Sequence, residues 1–153
     1  FYADCLPIFV YDKENQVIGA WHSGWPGTFK EMMKSGLLEM QKNFGTQVEN
    51  VVMALGIGIG QKDYEVGNEF YDKFVEKFGK SNREIVEKSF WFNEKTEKYH
   101  FDNTKFNELM ALKLGIKQEN LIVATENTFD EKFHSYRREG KNAGRATAMI
   151  SFK

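Results

Sequence analysis

Cys5 and His22 are the residues whose types and spacing point most directly to chemistry. They flank two apolar segments, Leu6–Tyr11 and Gln16–His22, separated by the polar stretch Asp12–Asn15, a pattern that predicts a β-hairpin. With Asp12–Asn15 as the turn, Tyr11 faces Gln16 and Cys5 falls directly opposite His22. Directly opposed residues of an antiparallel pair share a face, with Cβ atoms about 4.5–5.5 Å apart. A metal about 2.3 Å from sulfur and about 2.0 Å from nitrogen fits between such side chains. The same spacing suits a thiol nucleophile beside an imidazole base. The structural alternative makes Cys5 a small core residue and His22 its satisfied neighbour. A slip of register by one residue places the two on opposite faces.

Other candidates cluster near the C-terminus. Arg137, Arg138 and Arg145 lie among Lys132 and Lys141. Guanidinium forks match phosphate oxygens, so the group reads as a phosphate clamp or as a solvated basic surface. Asp4, next to Cys5, is placed to orient His22 or to cap a turn. Glu65 precedes a helix start, where a carboxylate has a structural role. His100 and His134 lie among aromatics and read as core or surface histidines, although His134 belongs to Phe133-His-Ser-Tyr-Arg-Arg138 and so has access to a pocket wall. Gly56-Ile-Gly-Ile-Gly60 has neither the G-x-G-x-x-G spacing nor a Walker lysine, so it is not a nucleotide-phosphate loop.

Several elements must hold these residues in place. After the glycine-rich turn Ser23–Gly27, the residues Phe29, Met33, Leu37, Met40 and Phe44 recur at helical spacing, and Gly45 stops the run. Val51–Leu55 reads as a buried strand. A second helix is predicted over about Asn68–Phe78, with Phe70, Tyr71, Phe74, Val75 and Phe78 inward. Ser89–Phe92 and Lys98–Phe101 form a second hairpin around Asn93–Thr96. A third helix covers about Thr104–Leu114 and stops at Gly115. Leu121–Ala124, Phe133–Tyr136 and Ala146–Phe152 read as strands. Hairpins mixed with crossover helices predict an α+β fold, a mixed β-sheet covered by helices, in one unit spanning 1–153.

Composition limits the function classes. The chain has 153 residues, 41% of them hydrophobic and 15% aromatic, as in a globular domain with a large core. Twenty-one Lys and Arg against 22 Asp and Glu give a net charge of -1, which excludes nucleic-acid binding through bulk positive charge. No apolar run reaches the roughly 20 residues of a membrane helix, so no membrane partner is expected. One cysteine permits no intrachain disulfide, and a cytoplasmic setting is expected. Phe1 runs straight into an apolar segment without the pattern of a signal peptide, as if the chain began inside something longer.

Four motifs carry a resemblance. Ala3-Asp-Cys-Leu-Pro7, His22-Ser-Gly-Trp-Pro-Gly27, Gly56–Gly60 with Tyr64-Glu-Val-Gly67, and Ser135-Tyr-Arg-Arg138 with Gly144-Arg145 follow one order. In that order they resemble the YfiH-type laccase-domain family, also called multicopper polyphenol oxidoreductase and, by activity, purine nucleoside phosphorylase. The resemblance covers almost the whole chain. It implies an α/β/β/α sandwich with helices outside the sheets. It implies a zinc ion on Cys5, on His22 and on a third histidine that would lie upstream of Phe1. It further implies purine nucleosides such as adenosine and inosine as substrates with phosphate as co-substrate, deamination of adenosine in some members, and Arg138 and Arg145 as phosphate-binding residues. Cys5, His22 and Asp4 are then the catalytic candidates.

The motifs also depart from the family pattern. Ser23 stands for the usual Ala, Pro26 for Arg, Ile57 for Pro, and Ala124 for Cys. Proline supplies neither charge nor a guanidinium fork. These departures support a rival reading, a non-catalytic family member or interaction domain. The family's older name suggests copper oxidation, but multicopper chemistry needs many histidines, and this chain has three with one cysteine. Copper is therefore less favoured than zinc.

Overall fold

Two apolar runs set the first hairpin in the computed structural model, which describes all 153 residues. Strand β1 (Leu6–Asp12) buries Leu6, Ile8 and Val10 on one face. It pairs antiparallel with β2 (Val17–Ser23), with Pro7 opposite His22 and Asp12 opposite Val17. The predicted pairing of Cys5 with His22 is therefore shifted by two residues, and the turn is Lys13–Gln16 rather than Asp12–Asn15.

Asp12 is the physical reason. Its carboxylate accepts hydrogen bonds from the backbone N–H groups of Glu14 (3.0 Å) and Asn15 (3.1 Å) and from the Asn15 side chain (2.9 Å). This Asx-type arrangement keeps Asp12 in the strand and turns the chain one residue later. Burial tends to raise the Asp12 carboxyl, but the hydrogen bonds from Asn15 and Glu14 hold it below its ordinary 3.8. A depressed folded-state value means that the contribution is complete above the unfolded value. It is lost as pH falls below about 3.8 and through the lower folded value. Asp12→Ala is expected to cost about 1–3 kcal/mol in denaturant unfolding at pH 7, and less at acid pH. Asp12→Asn keeps an acceptor oxygen and should retain more of the stability.

The chain continues through α1 (Trp25–Phe29), where the sequence suggested only a turn. Gly24 caps this short helix and Pro26 sits in its first turn, a position that tolerates the missing N–H. Helix α2 (Met32–Phe44) buries Met33, Leu37 and Met40 and ends at Gly45, whose φ of 71° suits glycine. Phe44 is exposed, outside the predicted buried face. Strands β3 (Val51–Leu55) and β4 (Glu65–Val66) precede α3 (Asn68–Phe78). Phe74 and Phe78 of α3 are buried, whereas Val75 turns outward. Helix α4 (Arg83–Ser89), which the sequence reading missed, carries the i,i+4 ion pairs Arg83–Glu87 and Glu84–Lys88 on its surface. Then follow β5 (Phe90–Asn93), β6 (Lys98–Phe101), α5 (Asn103–Lys113), β7 (Leu121–Val123) and α6 (Tyr136–Glu139).

Two sheets result. One has the order β2-β1-β3-β7, with β3 and β7 parallel; the other has the order β4-β6-β5 and is antiparallel. The α+β expectation holds. Phe133–Tyr136 is not a strand, because the chain bends there and enters α6. The Ala146–Phe152 segment is not a strand either: Ala146 alone bridges to Tyr2, and the rest has no partner.

The core has two parts. Leu6, Ile8, Val10, Val51, Met53 and Leu55 of the larger sheet pack with Met33, Leu37 and Met40 of α2. Phe74, Phe78, Phe90, Phe101 and Phe106 form a second, aromatic cluster under the smaller sheet. The site lies near the junction of the two, at the β1–β2 end away from the hairpin turn.

Candidate functional site

The bent segment of residues 3–5 before β1 and the last residues of β2 meet beside α6, and a cleft of about 390 Å³ opens there. Asp4, Cys5, His22, Trp25, Tyr64, Tyr136, Arg137 and Arg145 line it, with Asn103 at its back. Cys5 lies across from Gly24, not from His22. A Cβ at Gly24 would stand 2.7 Å from the Cys5 Sγ, so glycine is required for the two segments to approach. A shift of two residues preserves the face of a strand, so Cys5 and His22 still open into one cleft.

Asp4 serves neither His22 nor a local turn. It sits in the left-handed region at φ 79°. Its carbonyl accepts the Ile59 N–H at 3.0 Å. Its carboxylate accepts the Thr128 hydroxyl at 2.6 Å and the Arg137 N–H at 2.6 Å. The acid therefore fastens the cleft wall to the start of α6, and an uncommon backbone conformation is held by partners on three segments.

The two arginines of the Ser-Tyr-Arg-Arg motif part company at α6. Arg137 lines the cleft. One of its guanidinium nitrogens donates to the Glu65 carbonyl at 2.8 Å, and the group lies 5.1 Å from the Tyr64 ring centroid. Arg138 turns away from the cleft. Its guanidinium donates to the carbonyls of Thr128, Phe129 and Phe133 and pairs with Glu139. Arg138, expected as a phosphate-binding residue, is thus placed outside the cleft, with its donors engaged in bracing the segment before α6. Arg145 does line the cleft, anchored to the carbonyls of Ala143 (2.6 Å) and Gly144 (2.8 Å). Two cationic groups consequently face the same space as Cys5 and His22.

Burial raises the Cys5 thiol above its ordinary value, with the Asp4 charge adding to the rise and Arg145 opposing it. Burial likewise pushes the Tyr64 phenol up to about 12; Arg137 opposes the shift, and Cys5 and Asp4 add to it. Tyr64 is accordingly a neutral hydroxyl at pH 7. Trp25 and Tyr136 are partly exposed residues at the cleft; Trp25 meets Phe70 edge-on at 5.2 Å and the Arg145 guanidinium lies 5.9 Å from the Tyr136 ring centroid.

Cys5 and His22 are of the right chemical type for zinc, but two donors are not a site. No group of three His, Cys, Asp or Glu side chains is placed to hold a metal ion. His100 lies outside the cleft, with Nδ1 3.0 Å from the Gln61 carbonyl and Nε2 buried without a hydrogen-bond partner. His134 packs against Gly144, whose added Cβ would meet the ring at 2.4 Å. Neither joins Cys5 and His22, so these 153 residues do not by themselves fit a complete zinc site. Glu65 belongs to β4, just before Gly67 caps α3, and pairs with Lys98 at 2.9 Å, a structural role.

Tyr64, Trp25 and Tyr136 line the cleft without having been singled out from the sequence, although all three stand inside the motifs. Arg137 belongs to the arginine group that reads as a phosphate clamp, and it lines the cleft where Arg138 does not. No helix is long and apolar enough to cross a membrane.

The chain is similar to several known proteins. A purine nucleoside phosphorylase of Bacteroides thetaiotaomicron is 36% identical over 150 residues, covering 97% of this chain and 54% of that protein. An adenosine deaminase, RL5, of an unknown prokaryotic organism is 30% identical over 150 residues, covering 97% of this chain and 55% of that protein. The chain thus spans about half the length of the curated relatives it matches. The crystal structure of the Bacillus licheniformis hypothetical protein YfiH superposes with a TM-score of 0.79 at 24% identity, over 90% of this chain and 50% of that one, which shows a shared fold. The family model described as multi-copper polyphenol oxidoreductase laccase matches residues 1–153. The chain therefore belongs to the multi-copper polyphenol oxidoreductase laccase family, the YfiH-type laccase-domain proteins.

Proposed function

We propose that the cleft carries out phosphorolysis of purine nucleosides. One observation carries this reading: two separately anchored guanidinium groups, Arg137 and Arg145, line the same cleft as Cys5, His22 and the partly exposed Trp25 and Tyr136. Guanidinium forks suit a phosphate, and aromatic rings suit a purine. The names of the relatives, purine nucleoside phosphorylase and adenosine deaminase, support the same substrates.

In this reading phosphate lies against Arg137 and Arg145, and an oxygen of it attacks the ribosyl C1′. The C1′–N9 bond breaks, its electron pair stays with the base, and the base takes up a proton. Ribose 1-phosphate and free base leave. The arginines neutralise the attacking oxyanion and hold it in line. Tyr64, protonated at pH 7, stands in the cleft as a neutral hydrogen-bond donor.

Cys5 and His22 would supply two ligands of a zinc ion, and a third would have to come from outside these 153 residues. When bound, zinc would supply a Lewis-acid charge at the cleft wall. A burial-raised thiol runs against the alternative of a free Cys5 nucleophile paired with His22. Deamination of adenosine is a second reading, favoured by the relative that bears that name.

Steady-state kinetics of the full-length protein tests the clamp. Arg137→Ala and Arg145→Ala are each expected to raise the KM for phosphate by roughly tenfold, as loss of a charge-assisted contact implies, with little change in the KM for nucleoside. An unchanged KM for phosphate in both variants would remove the clamp from the account.

A further inference from the structure

Behind the cleft, four polar side chains are buried among apolar neighbours: Ser23 at 0% exposure, Thr28 and Asn103 at 4%, and Asn107 at 3%. They come from three elements, the end of β2, α1 and α5. The Thr28 hydroxyl donates to the Asn103 Oδ1 at 2.7 Å. A hydroxyl has one proton, so Ser23 must donate in the 2.9 Å contact between the two hydroxyls. Asn107 Nδ2 donates to the Thr28 oxygen at 2.9 Å and to the Asn103 carbonyl at 2.8 Å. Asn103 Nδ2 donates to the Ser23 carbonyl at 2.9 Å. The direction of every bond is therefore fixed, and Thr28 is the hub, with one donated and two accepted bonds.

The segment tied down by this network is the one that forms the cleft. Ser23 lies between His22 and Gly24, and Gly24 rests against the Cys5 sulfur. Trp25 opens α1, a helix of five residues with no side-chain cap bond at its start. So short a helix has little stability of its own, and its direction is set by what it is tied to. Those ties include Thr28, the packing of Phe29 on Phe74 and Phe78, and the edge-on contact of Trp25 with Phe70. Asn103 belongs to the network and also lines the cleft.

We propose that Ser23, Thr28, Asn103 and Asn107 are positioning residues that hold His22, Gly24 and Trp25 in register around Cys5. The inference rests on the reading of this cleft as the nucleoside site, but the geometry it asserts stands apart from that reading. It also accounts for Ser23, where the motif usually has alanine: its buried hydroxyl has a fixed acceptor in Thr28.

The test is Thr28→Val, which keeps the shape and removes the hydroxyl, beside Thr28→Ser, which restores it. In the full-length protein with a chelator present, the alkylation rate of Cys5, followed by mass analysis of its peptide, reads how closely the Gly24 segment covers the thiol. Thr28→Val is expected to react several-fold faster than wild type, and Thr28→Ser to return near it. In the full-length protein the valine variant is expected to lose about tenfold in kcat with the KM for nucleoside nearly unchanged, a pattern of misplacement rather than lost binding. An alkylation rate and kcat equal to wild type in Thr28→Val would overturn the proposal. So would an equal effect of Thr28→Ser, which would assign the loss to packing. Should Thr28→Val fail to fold, Ser23→Ala removes one donor only, and an unchanged alkylation rate there would overturn the proposal. If the wild-type protein cleaves no nucleoside, the functional reading fails, and the alkylation series still decides the network.

Discussion

Cys5→Ala in the full-length protein is expected to abolish zinc binding and to lower nucleoside phosphorolysis at least about 100-fold. The reasoning starts from ligand number. A catalytic zinc takes three protein ligands and keeps one open position. Cys5 is the single thiol in the chain, and His100 and His134 lie outside the cleft. Loss of groups that merely orient a ligand costs about 10–100-fold in affinity, so loss of the ligand itself costs more. The fold should survive, because alanine fits within the space of the cysteine beside Gly24. Metal analysis and kcat/KM of the purified variant check the expectation. Wild-type zinc content in Cys5→Ala would contradict it.

Phe74→Ala has the largest effect expected on stability, about 3–5 kcal/mol. Phe74 is 1% exposed and meets the rings of Phe29, Phe70, Phe78, Phe90, Phe101 and Phe106, with centroids between 5.0 and 5.4 Å except for Phe78 at 5.6 Å. Truncation removes both the burial of a large side chain and its contacts with six neighbours, and the surrounding rings cannot all collapse inward. Set against a typical domain stability of about 5–15 kcal/mol, the loss is large. Val75, its outward-facing neighbour at 40% exposure, should tolerate alanine within about 0.5 kcal/mol. Urea unfolding of both variants separates the two positions. The loss also bears on the cleft, because Phe70 stacks on Phe74 and meets Trp25 edge-on at 5.2 Å.

Local pattern made much of this fold legible. The apolar run Leu6–Tyr11 forms strand β1, and the period of 3.6 through Met33, Leu37 and Met40 marks the buried face of α2, although Phe29 falls in the separate helix α1 and Phe44 is exposed. The parity of the hairpin was legible too, which is why Cys5 and His22 share a cleft. Its register was not, because one carboxylate, Asp12, decides where the turn begins. Helix α4 escaped because its seven residues show barely two turns of periodicity. The C-terminal apolar run misled for the opposite reason: its residues have strand propensity, but pairing needs a neighbouring edge, and only Tyr2 meets it. Arg137 and Arg138 are chemically identical. Only the path of α6, set by the Asp4 and Ser135 bonds to its first N–H groups, directs one into the cleft and the other against Phe129. Tertiary contacts of this kind leave no trace in spacing.

Incubating the full-length protein with inosine and with adenosine, each with and without inorganic phosphate, and separating the products by chromatography tests the central claim most directly. The account predicts free hypoxanthine or adenine together with ribose 1-phosphate only when phosphate is present. Intact nucleoside in every arm, with no free base and no conversion of adenosine to inosine, would contradict it and leave the cleft without the chemistry assigned to it.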